Sequence, residues 1–138
     1  MKKPRRVLVD IQVDMFGYSV YVMTGTSEGD ARKFMKKVGV PSHECDLFTL
    51  GDGSYAIHLN TQCHGSFILI PEFKDSAHGI SVLVHELSHA TRALMDYCNL
   101  VEPKECNEVE AYILGYLVQK CLMELFTGKK IPGQPRKK

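Results

Sequence analysis

The chain opens on an alternation: Val7, Val9, Ile11 and Val13 stand against Leu8, Asp10, Gln12 and Asp14, which predicts a half-buried strand over Arg6 to Met15. Tyr18 to Met23 is β-branched and aromatic and predicts a second strand. Ser27-Glu28-Gly29-Asp30 then leads into a short helix from Ala31 to Val38, closed by Gly39 and Pro41. Asp46 to Leu50 and Ser54 to Asn60 flank Gly51-Asp52-Gly53, a hairpin-like turn signal. Ser66 to Ile70 is a compact apolar run stopped by Pro71, and reads as a further strand. Two long helices follow. The first starts near Asp75-Ser76, either of which can cap it, and runs to about Tyr97, with Asn99 as a left-handed stop. The second starts at Pro103, with Glu105 complementing its positive end, and finishes before Gly128. Strands first and a helix pair last predict an α+β fold, the terminal helices packed on a mostly antiparallel sheet.

The first long helix holds His85-Glu86-Leu87-Ser88-His89, an HExxH motif. Leu83, Leu87, Ala90 and Leu94 form its apolar stripe, and His85 and His89 lie on the far side of the wheel. Residues four apart stand one turn above each other, so two imidazoles can reach one metal ion at about 2.0–2.1 Å. Glu86 sits about 100° around the helix, placed to take a proton from a metal-bound water. A catalytic zinc has three protein ligands and one open position. His43, His58, His64 and His78 all precede the motif, so a third histidine downstream of it is absent. The downstream acids are Asp96, Glu102, Glu105, Glu108, Glu110 and Glu124, and Glu108 is preferred. It lies in the second turn of the next helix, which faces the motif if the helices are antiparallel neighbours. Tyr112 and Gly115 share its face, Gly115 allowing close helix approach. Glu110 points about 160° away and is the competing ligand. Tyr112 is the candidate donor to a developing oxyanion, against the alternative of a packed aromatic. His78 precedes His85 on the same face, as a helix-start surface residue or a wall of the cleft; Asp96 lies beyond His89, and Cys63-His64 before the Ser66 strand.

His85-Glu86-Leu87-Ser88-His89-Ala90, followed by Asn107-Glu108-Val109-Glu110-Ala111-Tyr112 and Leu114-Gly115-Tyr116, resembles the minimal gluzincins. These are small HExxH metallopeptidases with a glutamate on the following helix, and the pattern is similar to metallopeptidases encoded by phages and prophages. The resemblance covers about Ser81 to Leu122. It implies a zincin-like fold and one Zn2+ per chain held by His85, His89 and Glu108, with Glu86 as catalytic base. It also implies an edge strand that pairs with an extended protein or peptide substrate. Asn107-Glu108 matches the thermolysin-like pattern, but Ala111-Tyr112 replace its Ser-Asp.

Length and composition change this picture little. With 138 residues, 44% hydrophobic and 24% charged, the chain is expected to form a single globular domain over 1–138. The net charge of +1 gives no global attraction to nucleic acid or membrane. Lys2, Lys3, Arg5 and Arg6 at one end and Lys129, Lys130, Arg136, Lys137 and Lys138 at the other read as solubilising tails, the less favoured alternative being a nucleic-acid handle. Asp10 and Asp14 interrupt the apolar run after the basic start, which argues against a signal peptide. A soluble protein of the cytoplasm is expected, the bacterial host's if the chain is phage-encoded. Five cysteines without a CxxC pair read as free thiols rather than a disulfide framework or a cysteine zinc site. The rival to an enzyme is a binding protein in which a closed zinc site clamps the helices, with His64, His78 or Cys106 as a fourth ligand.

Overall fold

The computed structural model of the protein describes residues 7–100 and 108–127. The basic ends, and the segment in which Pro103 was expected to open the second long helix, lie outside the described residues. The order is β1 (Val7–Val13), a single 3-10 turn (Asp14–Phe16), β2 (Tyr18–Thr24), α1 (Glu28–Lys37), α2 (Ser42–Cys45), β3 (Ile57–Thr61), β4 (Gly65–Ile70), α3 (Ala77–Tyr97) and α4 (Glu108–Thr127). The expected α+β class is observed.

The sheet is mixed, in the order β1-β2-β4-β3, and this corrects the mostly antiparallel expectation. β1 pairs antiparallel with β2 and β3 with β4, but β2 and β4 run parallel, Val20 opposite Ser66 and Thr24 opposite Ile70. From β2 the chain passes through α1 and α2 to β3 at the far edge, in the opposite sense, and the β3–β4 hairpin then returns it beside β2 in the same sense, which makes that pair parallel. Every residue of β4 is buried, as a central strand covered on both faces requires.

One expected hairpin is displaced. Asp46 to Leu50 is not a strand among the described residues: Asp46 closes α2, and Phe48 is buried while Leu47 is exposed. In this part of the chain the hairpin is formed by β3 and β4, joined by Gln62-Cys63-His64, with Gly65 at φ +87° taking the left-handed position after the loop. Gly51-Asp52-Gly53 is a turn within irregular chain rather than a turn between strands.

The helices cover the sheet unequally. α3 and α4 pack on one face, where Val9, Ile11, Val20, Val22, Ile68 and Ile70 meet Leu83, Leu87, Leu94 and Leu117. α1 and α2 cover the other face over Met23, Phe67 and Leu69 through Ala31, Met35 and Cys45. The caps follow the sequence. Ser27 accepts from the Asp30 amide and Ser76 from the Gly79 amide, each at 3.1 Å. Asn99 takes φ +54° just past α3. Cys45, Cys63, Cys98 and Cys121 are free thiols; burial pushes the Cys121 thiol up to about 12, so it is inert in the folded chain. No helix among the described residues is long and apolar enough to cross a membrane.

Candidate functional site

α3 presents its two halves as the wheel dictates. Leu83, Leu87, Ala90 and Leu94 are fully buried against the sheet, and His85 and His89 are exposed. The two imidazoles turn toward each other: their Nε2 atoms are 3.2 Å apart and their rings nearly perpendicular, with centroids 4.8 Å apart. Two nitrogens on one tetrahedral zinc, each at about 2.05 Å, stand about 3.3 Å apart. The pair therefore has the spacing of two ligands to one ion, as far as two donors can.

Glu86 points from the same turn toward the sheet and is only 8% exposed. Burial raises its carboxyl above the usual range, with His85 and His89 partly opposing the shift. A carboxylate so desolvated is a better proton acceptor than one in water. His85 and Glu86 open into a cleft of about 590 Å³ lined also by Ser54, Tyr55, Ala56, Ser81 and Val82. A smaller cavity of about 230 Å³ adjoins it through Ser54, Tyr55 and Val82, and is closed by Ile70, Pro71 and His78 among others. His78 thus lines a cavity beside the site, its ring edge-to-face with Tyr55 at 4.9 Å.

The face of α4 on which the third ligand was expected is exposed to solvent. Ile113, Leu117 and Cys121 face the core, whereas Glu108, Tyr112 and Gly115 are exposed. A side chain added at Gly115 would meet nothing within 4 Å, so this glycine is not a point of close helix approach. α4 does run antiparallel to α3. Glu110 pairs with Arg92 at 3.1 Å near one end, and Phe126 packs on Phe73, just before α3, at 5.9 Å near the other. With that register, at about 1.5 Å per residue, Glu108 lies about 7.5 Å along the axis from His89 and about 13.5 Å from His85. Among the described residues, no group of three His, Cys, Asp or Glu side chains is close enough to hold a metal ion. Tyr112 is 74% exposed and lines a separate groove with Met15, Phe16 and Tyr116, away from the Glu86 cleft. Asp96 is exposed near the end of α3, and His64 lies beside Gly39 rather than in the cleft.

The structure adds a residue that the sequence reading left among the unassigned histidines. His58, on β3, faces α3 with its ring 5.9 Å from that of His89 and nearly parallel to it. Its Nε2 is 2.8 Å from the Ser66 Oγ, which is 2.7 Å from the Tyr18 hydroxyl, which donates to the Asn60 Oδ1 at 2.7 Å. The only local signal was a period of two, since His58 and Asn60 share a strand face. Their meeting with Ser66 and Tyr18 depends on strand order, which no local pattern carries.

Burial, aided by the charge of His89, pushes His58 down to about 4 from 6.5. The folded chain then binds fewer protons than the unfolded one between those values. His58 contributes stability that is complete above about pH 6.5 and is lost as the pH falls toward 4, by as much as about 3 kcal/mol. Glu86, with its raised carboxyl, works in the opposite sense. Denaturant unfolding of chelator-treated protein at stepped pH is expected to show wild type losing stability on acidification relative to His58→Gln. Parallel curves for the two proteins would refute the assignment.

Comparison of the chain with protein-family models, with curated proteins and with solved structures finds no match.

Proposed function

We propose that the protein is a zinc-dependent hydrolase acting on peptide bonds, with His85 and His89 as metal donors and Glu86 as general base. The observation that carries this reading is the 3.2 Å approach of the two Nε2 atoms beside a buried carboxyl on the same helical turn. Sequence alone assigns the third donor to Glu108; the reading of function rests on the histidine pair and Glu86.

A bound zinc ion supplies Lewis-acid activation, lowering the pKa of water to about 7 and polarising a carbonyl. The chain's own groups do the rest. His85 and His89 hold their rings on a rigid helix whose opposite face is locked in the core, so neither must be ordered when the ion arrives. The Glu86 carboxylate accepts the proton of the attacking water and returns it to the amine released when the C–N bond breaks. Its burial keeps bulk water from competing for that proton.

The wall of the cleft supports a peptide as the substrate. β3 is an edge of the sheet, and Ser54-Tyr55-Ala56, just before it, lines the cleft with Glu86. An extended peptide laid along such an edge is held by its backbone, with pockets reading its side chains. The cavity between Tyr55, Ile70 and Val82 is a pocket of that kind.

The test is direct. Protein purified without chelators is expected to carry about one zinc per chain, as a single mononuclear site requires. It should cleave an unfolded protein substrate, and lose both properties in His89→Ala. Metal-free protein that gains no hydrolysis when zinc is restored would overturn the proposal.

A further inference from the structure

The remaining protein donor is the open question at this site, and the sheet offers one. We propose that His58 is the third protein ligand, an Nδ1 donor contributed by the edge strand β3 rather than a carboxylate contributed by α4. The inference rests on the zinc reading above and specifies its coordination.

The hydrogen-bond chain behind His58 has a direction. Asn60 presents its Oδ1, which can only accept, so the Tyr18 hydroxyl spends its single proton there. The Tyr18 oxygen is then left to accept from the Ser66 hydroxyl. With its own proton so used, the Ser66 Oγ must accept from His58, whose Nε2 therefore carries the ring proton. The consequence is a neutral imidazole with a bare lone pair on Nδ1. A ligand histidine is held in this way: its second ring nitrogen donates to a protein acceptor that fixes the tautomer and the ring plane. Ser66 is fully buried on the central strand and Tyr18 is buried on its neighbour, so the acceptor is anchored in the sheet itself. Ser66 and Tyr18 are buried, His58 is half-buried and Asn60 is exposed, so the hydrogen-bond chain runs from the sheet interior out to the edge strand.

The ring spacings stand within a small movement of this role, though not in it. An imidazole bound at about 2.05 Å places its ring centre about 3.2 Å from the ion, so two such rings at a tetrahedral angle have centres about 5.2 Å apart. His85 and His89 stand at 4.8 Å and His58 and His89 at 5.9 Å, on either side of that value. The three rings do not converge as they stand, and a movement of about 0.7 Å brings the His58–His89 spacing to that of a shared ion. Glu108 would instead have to cross most of two helical turns. Three neutral imidazoles would also leave the charge of the ion uncompensated except by Glu86, strengthening its pull on water.

The test is a zinc competition titration against a chromophoric chelator, starting from metal-free protein. Wild type is expected to bind one zinc, His58→Ala to bind it at least about 100-fold more weakly, and Ser66→Ala about 10–100-fold more weakly. Glu108→Ala is expected to stay within about threefold of wild type. Because His58→Ala could perturb the strand, a second measurement uses wild type alone: the 15N resonances of the His58 ring should show Nδ1, and not Nε2, shifting on zinc addition. Unchanged His58 nitrogens, or His58→Ala binding like wild type while Glu108→Ala does not, would overturn the assignment and leave the zinc reading intact. Failure of wild type to bind zinc at all would overturn both.

Discussion

Glu86→Gln is expected to lower peptide hydrolysis by about 10²–10⁴-fold while zinc content stays at the wild-type level. Gln keeps the volume and the neutral polarity that the buried pocket accommodates, but cannot take a proton from water. The fold should not suffer. The carboxyl is desolvated and costs stability when ionised, so the amide should be neutral or slightly stabilising, most visibly at neutral and alkaline pH. The sign is specific: a residue whose folded pKa is raised opposes folding as the pH climbs through that value. Steady-state kinetics with metal analysis on the same samples decide the matter. Loss of metal in Glu86→Gln would make the residue a ligand or a scaffold rather than a base, and wild-type turnover would remove it from the mechanism.

Gly65→Ala is expected to destabilise the protein by about 2–5 kcal/mol, combining a left-handed backbone cost of about 1–2 kcal/mol with an overpacking cost of about 1–3 kcal/mol. Gly65 has φ +87°, and a Cβ there would stand 2.0 Å from the carbonyl oxygen of Ser19. That contact is backbone to backbone, so no side chain can swing away. The clash lies at the first residue of β4, immediately before Ser66, whose hydroxyl holds both Tyr18 and His58. The substitution should therefore disturb the site as well as the fold, and zinc affinity should fall in the fraction that remains folded. Denaturant unfolding measures the first effect and metal titration the second. A variant within about 1 kcal/mol of wild type would mean that β2 and β4 can separate at this end without cost, against ordinary overpacking.

Much of the site was legible along the chain because it is local. His85, Glu86 and His89 occupy adjacent turns of one helix, so the 3.6-residue period alone puts two imidazoles on one side and the carboxylate beside them. Ser76 as cap, Asn99 as stop and the Leu83-Leu87-Ala90-Leu94 stripe are equally local, and each stands where the pattern placed it. The Asp46–Leu50 strand was wrong because Gly51-Asp52-Gly53 is a strong turn signal wherever it occurs. The true β3–β4 loop, Gln62-Cys63-His64, carries almost none until Gly65.

What the sequence settled by itself is the helix that carries the motif, which residues share each of its faces, and that the two histidines lie one turn apart. Only the tertiary structure decided that β4 lies between β2 and β3, parallel to the first and antiparallel to the second, that α4 turns Glu108 and Tyr112 to solvent, and that the His58 ring stands beside Ser66 and His89. The reason is range. Side-chain direction within one element is fixed by its own backbone period, whereas strand order and the rotation of one helix against another are fixed by where apolar surface can be buried. On α4 that surface is Ile113, Leu117 and Cys121. Their burial, and no property of Glu108 itself, sets which carboxylate faces which helix.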